Sequence, residues 1–160
     1  MGAVVPDAPA GEPPLARLFA IAYRLLIDGL HDRLQALGWT DVRPAFGFVL
    51  LAARDRPTSG TELAALMGTT KQAASKLVDA MEAAGYVQRA AGTEDGRQRP
   101  VHLTARGQEL LRSVEQIYAE LEQDWAQVIG PGQVQRMRAD LVRVLSTAPG
   151  GGLPPVRPTW

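Results

Sequence analysis

Residues 59–89 read SGTELAALMGTTKQAASKLVDAMEAAGYVQR, and this stretch decides the fold. Ser59 and Glu62 have the spacing of a capping box, in which each residue satisfies a free backbone N–H of the other. This spacing predicts a short helix whose apolar residues are followed by a terminating glycine, Gly68.

The same signals recur ten residues later. Thr69 and Gln72 have the spacing of a second capping box, which predicts a helix ending at Gly85. Two helices joined by a tight turn of Gly68 and Thr69 predict a helix-turn-helix.

A short hairpin is expected directly after the second helix. Residues 86–89 have strand character, residues 91–99 are polar and rich in turn formers, and residues 100–103 alternate like a returning strand. Helix, turn, helix, strand, hairpin and strand in this order predict a winged helix-turn-helix.

Amphipathic helices flank this unit. Apolar residues at spacings of three and four predict a helix over 15–37 and another near 44–53. Thr104 is expected to cap a helix of roughly 25 residues, and Gly130-Pro131-Gly132 separates it from a last helix. The fold class is therefore mainly α, a winged helix-turn-helix with a small β-hairpin wing and with dimerisation helices at both ends.

The predicted domain is single and spans 14–146. Its DNA-binding part covers about 41–104, and its dimerisation helices cover about 14–38 and 105–146. Both flanks, 1–13 and 147–160, mix proline, glycine and alanine with few apolar anchors and are expected to be flexible tails. A unit of about 65 residues is too small to cover the apolar faces of the outer helices, so we expect a twofold homodimer.

Composition excludes several classes of function. The 160 residues contain 17 basic and 17 acidic side chains and no cysteine, which excludes disulfides, thiolate metal sites and cysteine nucleophiles. His31 and His102 lie far apart, and phosphate-binding glycine loops and nucleophile-elbow motifs are missing. We therefore expect no enzyme, no metal and no cofactor. The start of the chain lacks secretory signal character, so a cytoplasmic protein is expected.

The second helix of the helix-turn-helix has a candidate DNA-binding face. Ala74, Leu77, Val78 and Met81 form its inner stripe, while Gly68 to Val78 contains no carboxylate. Lysine suits phosphates or guanine edges, glutamine suits adenine, and hydroxyls suit either. A solvated face that happens to lack acids is the alternative. The candidate residues on the helix are Thr70, Lys71, Gln72, Ser75 and Lys76.

The hairpin adds candidate arginines. Arg97 and Arg99 lie on its polar segment and Arg89 at its base, and arginines at a hairpin tip suit the narrow minor groove. Glu94 and Asp95 oppose this interpretation unless Asp95 pairs with Arg89 or Arg97 and orients it. An ordinary charged hairpin is the alternative.

The chain resembles the MarR (multiple antibiotic resistance regulator) family. The resemblance covers about residues 15–146, and its most specific part is Asp95-Gly96-Arg97 followed by Leu103-Thr104-Ala105-Arg106-Gly107. It implies interlocked terminal helices, recognition helices in successive major grooves of a pseudo-palindromic operator, and Arg97 in the flanking minor groove with Asp95 as its positioning partner. The family's cysteine-dependent oxidant sensing is impossible here.

Many members of that family bind small anionic aromatic compounds between the dimerisation helices and the winged domain. Ordinary core packing is the alternative for Phe46 and Phe48, and a surface or interface position is the alternative for His31. The candidate lining residues are Tyr23, His31, Trp39, Phe46 and Phe48.

These patterns together favour a DNA-binding transcriptional regulator. The resemblance adds that the regulator is a homodimeric repressor whose affinity for double-stranded DNA changes with a small ligand. The alternative is a winged-helix protein-interaction adaptor that does not contact DNA, which an electrostatically neutral recognition face and wing would favour.

Overall fold

The computed structural model describes residues 11–91, 99–150, 153 and 155. Within these residues the predicted elements occur in the predicted order, and the winged helix-turn-helix is confirmed. The helices are α1 (Leu15–Ala36), α2 (Phe46–Ala52), α3 (Gly60–Leu66), α4 (Lys71–Ala83), α5 (Ala105–Ile129) and α6 (Pro131–Leu145), and the strands are β1 (Val87–Arg89) and β2 (Val101–Leu103).

The first predicted capping box is confirmed. Ser59 Oγ accepts a hydrogen bond from the backbone N–H of Glu62 at 3.2 Å, and the Glu62 carboxylate accepts one from the N–H of Ser59 at 2.8 Å. Arg56 donates to the same carboxylate at 2.8 Å. These hydrogen bonds, that from Arg56 first, lower the pKa of Glu62 to about 2.

The second predicted capping box is wrong by one residue. The N-cap of α4 is Thr70, whose hydroxyl accepts from the N–H of Ala73 at 3.1 Å. Thr69 instead donates its backbone N–H to Ala64 at 3.0 Å and so closes the end of α3. The turn needs this extra residue because the last carbonyls of α3 must be satisfied before α4 can begin.

The wing is a two-stranded antiparallel sheet in which Val87 pairs with Leu103 and Arg89 with Val101. Thr58, from the segment before α3, extends this sheet by one bridge to Val101. Its backbone N–H and carbonyl both bond to Val101, at 2.9 and 2.8 Å. The bridge ties the wing to the start of the helix-turn-helix.

The Leu-Thr-x-x-Gly motif joins the wing to α5. Thr104 caps α5 by accepting from the N–H of Gly107 at 3.1 Å, and it donates its own hydroxyl to the carbonyl of Gly85 at 2.5 Å. A Cβ at Gly107 would lie 1.9 Å from the carbonyl oxygen of Tyr86. Only glycine allows this close approach of backbone to backbone.

One apolar core lies between the helix-turn-helix and α5. The outer helices α1 and α6 are much more exposed. Helix α1 has two buried residues, Leu30 and Leu34, and helix α6 has one, Val134. Arg33 joins α1 to α5 through Glu120 at 3.1 Å and Asp124 at 2.7 Å. The outer helices therefore present apolar faces that this chain leaves open.

Candidate nucleic-acid interface and effector cavity

Helix α4 packs by its predicted inner stripe. Ala74, Leu77, Val78 and Met81 are all buried, with relative exposures between 0 and 5%. Their burial turns the opposite face to solvent, as the helical period of 3.6 residues requires. The five predicted contact residues, Thr70, Lys71, Gln72, Ser75 and Lys76, are all exposed.

The N-terminal part of the exposed face carries positive charge. Lys71 and Lys76 are the only lysines in the sequence, and the stretch from Gly68 to Val78 contains no acidic residue. The free N–H groups of the first turn of α4 add partial positive charge at the same end. This end of α4 can therefore bind an anion such as a phosphate.

A polar groove runs between α3, α4 and the wing. It brings together four of the eight predicted DNA-binding residues, while Thr70, Gln72 and Lys76 lie outside it and Arg97 lies outside the described residues. Since α3 supplies one wall and the wing the other, the groove width depends on how the wing is held. The groove is lined by Gly60, Thr61, Lys71, Ser75, Asp79, Glu82, Arg89 and Arg99.

Arg89 differs from the other predicted contacts because its charge is already paired. Its guanidinium donates to Asp79 at 2.6 Å and to Glu82 at 2.5 Å, and only 18% of its side chain is exposed. Its backbone N–H also donates to Glu82 at 3.1 Å. Arg89 thus holds β1 against the C-terminal half of α4 through its ion pairs with Asp79 and Glu82.

The rest of the wing is described only in part. Arg99 is exposed, and its Nε donates to the carbonyl of Ala90 at 3.1 Å, across the base of the hairpin. Asp95 and Arg97 lie outside the described residues, so their predicted pairing stays a prediction.

A small cavity lies between α1, α2 and α5. Its volume is about 140 Å³, the size that holds one aromatic ring, and its walls are mostly apolar. Tyr23, His31 and Phe48 line it, as predicted for an effector site. The sequence-based argument missed Arg43 and Tyr118, which also line it. The loop from Trp39 to Pro44 has no periodic apolar pattern that would predict its contacts. The helical spacing of Tyr118 indicates only that it belongs to the apolar stripe of α5.

His31 is the polar group of this cavity that lacks a partner. Its Nε2 is buried and makes no hydrogen bond to any described residue. Burial lowers the pKa of His31, against the opposing influence of Asp28 and Asp32. The imidazole is therefore neutral near pH 7, and its Nε2 can accept or donate one hydrogen bond to a molecule in the cavity.

Trp39 and Phe46 are not brought to this cavity, which corrects the predicted lining. Phe46 is 2% exposed and packs against the ring of Tyr86, with ring centroids 6.0 Å apart. Trp39 also packs against Tyr86 at 6.0 Å, and its indole N–H donates to Ser113 at 3.3 Å. The core packing considered as the alternative for Phe46 is confirmed.

Tyr86 is the centre of that second aromatic cluster. It is fully buried, and its hydroxyl donates to Asp41. Arg106 lies over the rings of Tyr86 and Trp39, 5.0 and 5.2 Å from their centroids. Burial, with the hydrogen bond to Asp41, raises the pKa of Tyr86. The cluster joins the loop before α2, the start of the wing and α5.

Comparison with known proteins agrees with this geometry. The model of the MarR family matches residues 48–98, which include α3, α4 and β1. The solved structure of transcriptional regulator PA3341 is 27% identical with a TM-score of 0.65, and the match covers 84% of this chain and 97% of that one. The chain is therefore similar in sequence and fold to MarR-family regulators.

Two further structures show what other proteins of this fold bind. The Mycobacterium tuberculosis MarR family protein Rv2887, solved in complex with salicylic acid, is 25% identical with a TM-score of 0.63 and covers 84% of this chain and 98% of its own. The S. aureus MepR–DNA complex, 20% identical with a TM-score of 0.66, covers 85% and 99% and supports the fold alone. No curated protein matches the chain.

The described residues fold as a winged helix-turn-helix of the kind found in MarR-family structures. In that part of the chain, no helix is both long and apolar enough to cross a membrane. No group of three or more histidine or acidic side chains there is arranged to hold a metal ion. The matched family and the PA3341 structure are those of transcriptional regulators.

The charged partners of Arg89 were missed by the sequence-based argument, although a signal for them exists. Asp79 and Glu82 are three residues apart on α4, which places both carboxylates on one helix face. In this structure that face is turned toward β1, where Arg89 follows seven residues after Glu82.

Proposed function

We propose that this MarR-family regulator is a homodimeric repressor that binds a pseudo-palindromic operator, with an affinity that a small aromatic anion modulates. The regulator domain is 14–146, flanked by tails, and it acts in the cytoplasm, where its DNA lies. A dimer lying across a promoter excludes polymerase by its volume, so repression requires no further contact.

The observation that carries the DNA-binding proposal is the charge of the exposed face of α4. Lys71 and Lys76 contact phosphates, and the amide of Gln72 contacts an adenine edge in the major groove. Thr70 and Ser75 supply hydroxyls to phosphates or bases. An adaptor that avoids DNA would not need two exposed lysines in a stretch, residues 68–78, that lacks carboxylates.

The wing supplies the second set of contacts. Arg97 enters the minor groove, where the negative potential is enhanced, and Asp95 orients it. Arg99, which lines the groove along α4, contacts the DNA backbone. Arg89 acts as a positioning residue, since its ion pairs with Asp79 and Glu82 hold β1 at a set distance from α4.

The dimer forms through the outer helices. Large apolar side chains of α1, α5 and α6 remain exposed, among them Leu15 at 68%, Leu25 at 61%, Val128 at 84% and Val144 at 68%. Apolar surface of this extent on helices that are otherwise regular is typical of a protein–protein interface. A twofold axis through it sets the spacing of the two recognition helices to about one turn of DNA.

The effector occupies the cavity between α1, α2 and α5. Arg43 and the Nε2 of His31 suit an anionic or hydrogen-bonding group, and Tyr23, Phe48 and Tyr118 suit an aromatic ring. The relative solved with salicylic acid supports this ligand class. A ligand changes DNA affinity only to the extent that it binds one dimer geometry better than the other.

The DNA-binding proposal is tested by selecting bound fragments from random duplex DNA with the purified protein. We expect an inverted repeat with half-sites about one helical turn apart. An amine-reactive reagent should then label Lys71 and Lys76 in the free protein, and the selected duplex should protect both. A selection that returns no enriched duplex would favour the adaptor.

The wing contact is tested with Arg97→Ala. Loss of one minor-groove cation should weaken binding to all duplexes and lower the slope of log affinity against log salt by about 1. Arg112→Ala, which removes an exposed arginine of α5, is the matched control. Equal affinity and equal slope for both variants would remove Arg97 from the interface.

The effector proposal is tested with salicylate as the probe. Calorimetry should detect binding to the wild-type chain, and salicylate should change its affinity for the selected duplex. His31→Gln should weaken salicylate binding, whereas His102→Gln, on strand β2, should not. Calorimetry without detectable salicylate binding would refute this ligand class while leaving the DNA-binding result intact.

A further inference from the structure

A second apolar groove lies between α2 and α3, next to the cavity. Leu51 and Leu66 face it and remain 53% and 51% exposed. Arg56 and Glu62 form an ion pair of 2.8 Å on its lining. The winged domain therefore exposes an apolar strip that is separate from the face of α4 proposed to bind DNA. Its helical walls are Phe48, Leu51 and Ala52 of α2 and Ala65 and Leu66 of α3.

The remaining lining of this groove comes from the far end of the chain. Leu153 and Pro155 lie along it, eight and ten residues after the last residue of α6. We infer that this C-terminal segment, called the strap and defined by Leu153 and Pro155, docks in cis in the α2–α3 groove and braces α2.

The composition of the strap suits docking into an apolar groove. The sequence of residues 153–155 is Leu-Pro-Pro, and the pyrrolidine ring restricts the φ angle of Pro155. Such a segment loses less conformational entropy on binding than an ordinary loop, and proline-rich segments commonly bind apolar grooves for this reason. The tether to α6 makes the encounter intramolecular, which raises the effective concentration of the strap.

The docking is shallow, and this makes it reversible. Leu153 is still 63% exposed, so it covers only part of its surface in the groove. A contact of this size contributes little to global stability, yet it suffices to change the local opening of a short helix such as α2.

The strap is coupled to the cavity through α2. Phe48 and Leu51 line both the groove and the cavity. The strap therefore braces the wall of the cavity from outside, and α2 in turn precedes α3 of the helix-turn-helix. This inference concerns the fold of the chain and does not depend on the proposed operator or effector.

The docking is tested by a cysteine pair, because the natural chain has no cysteine. The full chain carrying Leu66→Cys and Leu153→Cys is oxidised or treated with a short bismaleimide and run on a non-reducing gel. We expect a crosslink within one chain, seen as a faster band at monomer mass. The matched control is Leu37→Cys with Leu153→Cys, since Leu37 is also 63% exposed but does not line the groove.

Two results would overturn docking in cis. One is a crosslinking yield no higher than that of the Leu37→Cys control. The other is a covalent dimer as the main product, which would place the segment of one copy on another.

The bracing of α2 is tested by hydrogen exchange on the full chain with Leu153→Asp. This substitution lies outside the helices and the sheet, so the variant should fold. We expect the amides of residues 48–52 to exchange about threefold faster or more, while those in the middle of α5 are unchanged. Identical exchange at 48–52 in the variant and the wild type would refute the bracing.

Discussion

The two ends of α4 carry similar numbers of charges but use them differently. At the N-terminal end, Lys71 and Lys76 are exposed in a stretch without carboxylates. At the C-terminal end, Asp79 and Glu82 are both held by Arg89, whose side chain is only 18% exposed. The charges at the N-terminal end are accessible to a binding partner, whereas the charges at the C-terminal end form ion pairs that hold the wing.

This difference shows why a count of charged residues does not locate a nucleic-acid interface. Arg89 is a cation next to the recognition helix, yet its charge is balanced by two carboxylates, and it contributes little attraction for a phosphate. The same ion pairs also remove two negative charges from the surface near the groove. Pairing therefore has two electrostatic effects. It neutralises a cation that would attract DNA, and it neutralises two anions that would repel DNA.

Reversal of the free charge should have the largest effect. Lys71→Glu places a carboxylate where a phosphate is expected, and like charges in contact cost several kcal/mol. We expect roughly 3 kcal/mol, or about a 100-fold loss of affinity for the selected duplex, measured by fluorescence anisotropy at fixed salt. Arg112→Glu on α5 makes the same change in net charge and should have a much smaller effect. Similar losses for both variants would mean that net charge, and not this face, controls binding.

Removal of the paired cation should have a smaller and indirect effect. Arg89→Met keeps the length of the side chain but frees Asp79 and Glu82 and loosens β1. We expect about a 10-fold loss of affinity, roughly 1.4 kcal/mol. If the unmasked carboxylates are the cause, Asp79→Asn with Glu82→Gln should restore most of the affinity in the Arg89→Met background. No restoration would indicate that the loss comes from the loosened β1 or from a direct contact of Arg89 with DNA, and not from the unmasked carboxylates.

A contact with a base edge should change preference more than overall affinity. Gln72→Ala removes an amide that can bond adenine in two places, a contact worth about 1 kcal/mol or more at one base pair. Affinity is measured for a set of operators that each carry one base-pair substitution. At one position of each half-site, the variant should bind all four base pairs with similar affinity. An unchanged preference at every position would exclude Gln72 from base recognition.

The smallest effect is on stability in acid. The backbone N–H of Arg89 is the main cause that lowers the pKa of Glu82 from 4.5, and its guanidinium adds to this. A carboxyl with a lowered pKa stabilises the folded state above pH 4.5, and this contribution is lost as the pH falls below that value. In Glu82→Gln, the free energy of unfolding should therefore decrease less below pH 4.5 than it does in the wild type. The difference should be a few tenths of a kcal/mol, because the pair is partly exposed.

Urea unfolding at several pH values measures this contribution. Glu109→Gln, at an exposed position of α5, is the control and should leave the pH profile close to that of the wild type. A profile of Glu82→Gln that matches the wild type would show that Glu82 contributes nothing through its lowered pKa.

The effector cavity shows where inference from sequence reached its limit. Phe46 and Phe48 are two residues apart and equally aromatic, yet Phe46 packs on Tyr86 in the core while Phe48 lines the cavity. The sequence alone could not decide separately for Phe46 and Phe48 between core packing and a place in the cavity lining. Two residues along a helix differ by about 200° in direction, so one faces the core whenever the other faces away. Which of them faces the core depends on how α2 is oriented against α1 and α5.

The boundaries of the helices followed from the sequence because the forces that set them are local. Ser59 and Thr104 cap helices through hydrogen bonds that reach only three residues, and Gly130, with φ of +91°, ends α5 where a side chain would be strained. The single error, Thr69 in place of Thr70, arose because two adjacent threonines can both serve as caps. The carbonyls at the end of α3 decided between them.

The sequence by itself determined the order of helices and strands, the buried stripe of α4 and the absence of acidic residues from 68–78. Only the tertiary structure decided that Arg89 is paired, that Trp39 joins the aromatic cluster around Tyr86, and that Thr58 extends the wing. The physical reason is distance along the chain. Caps and helical periodicity act over a few residues, whereas ion pairs, ring contacts and sheet bridges join residues that meet only after the helices have packed.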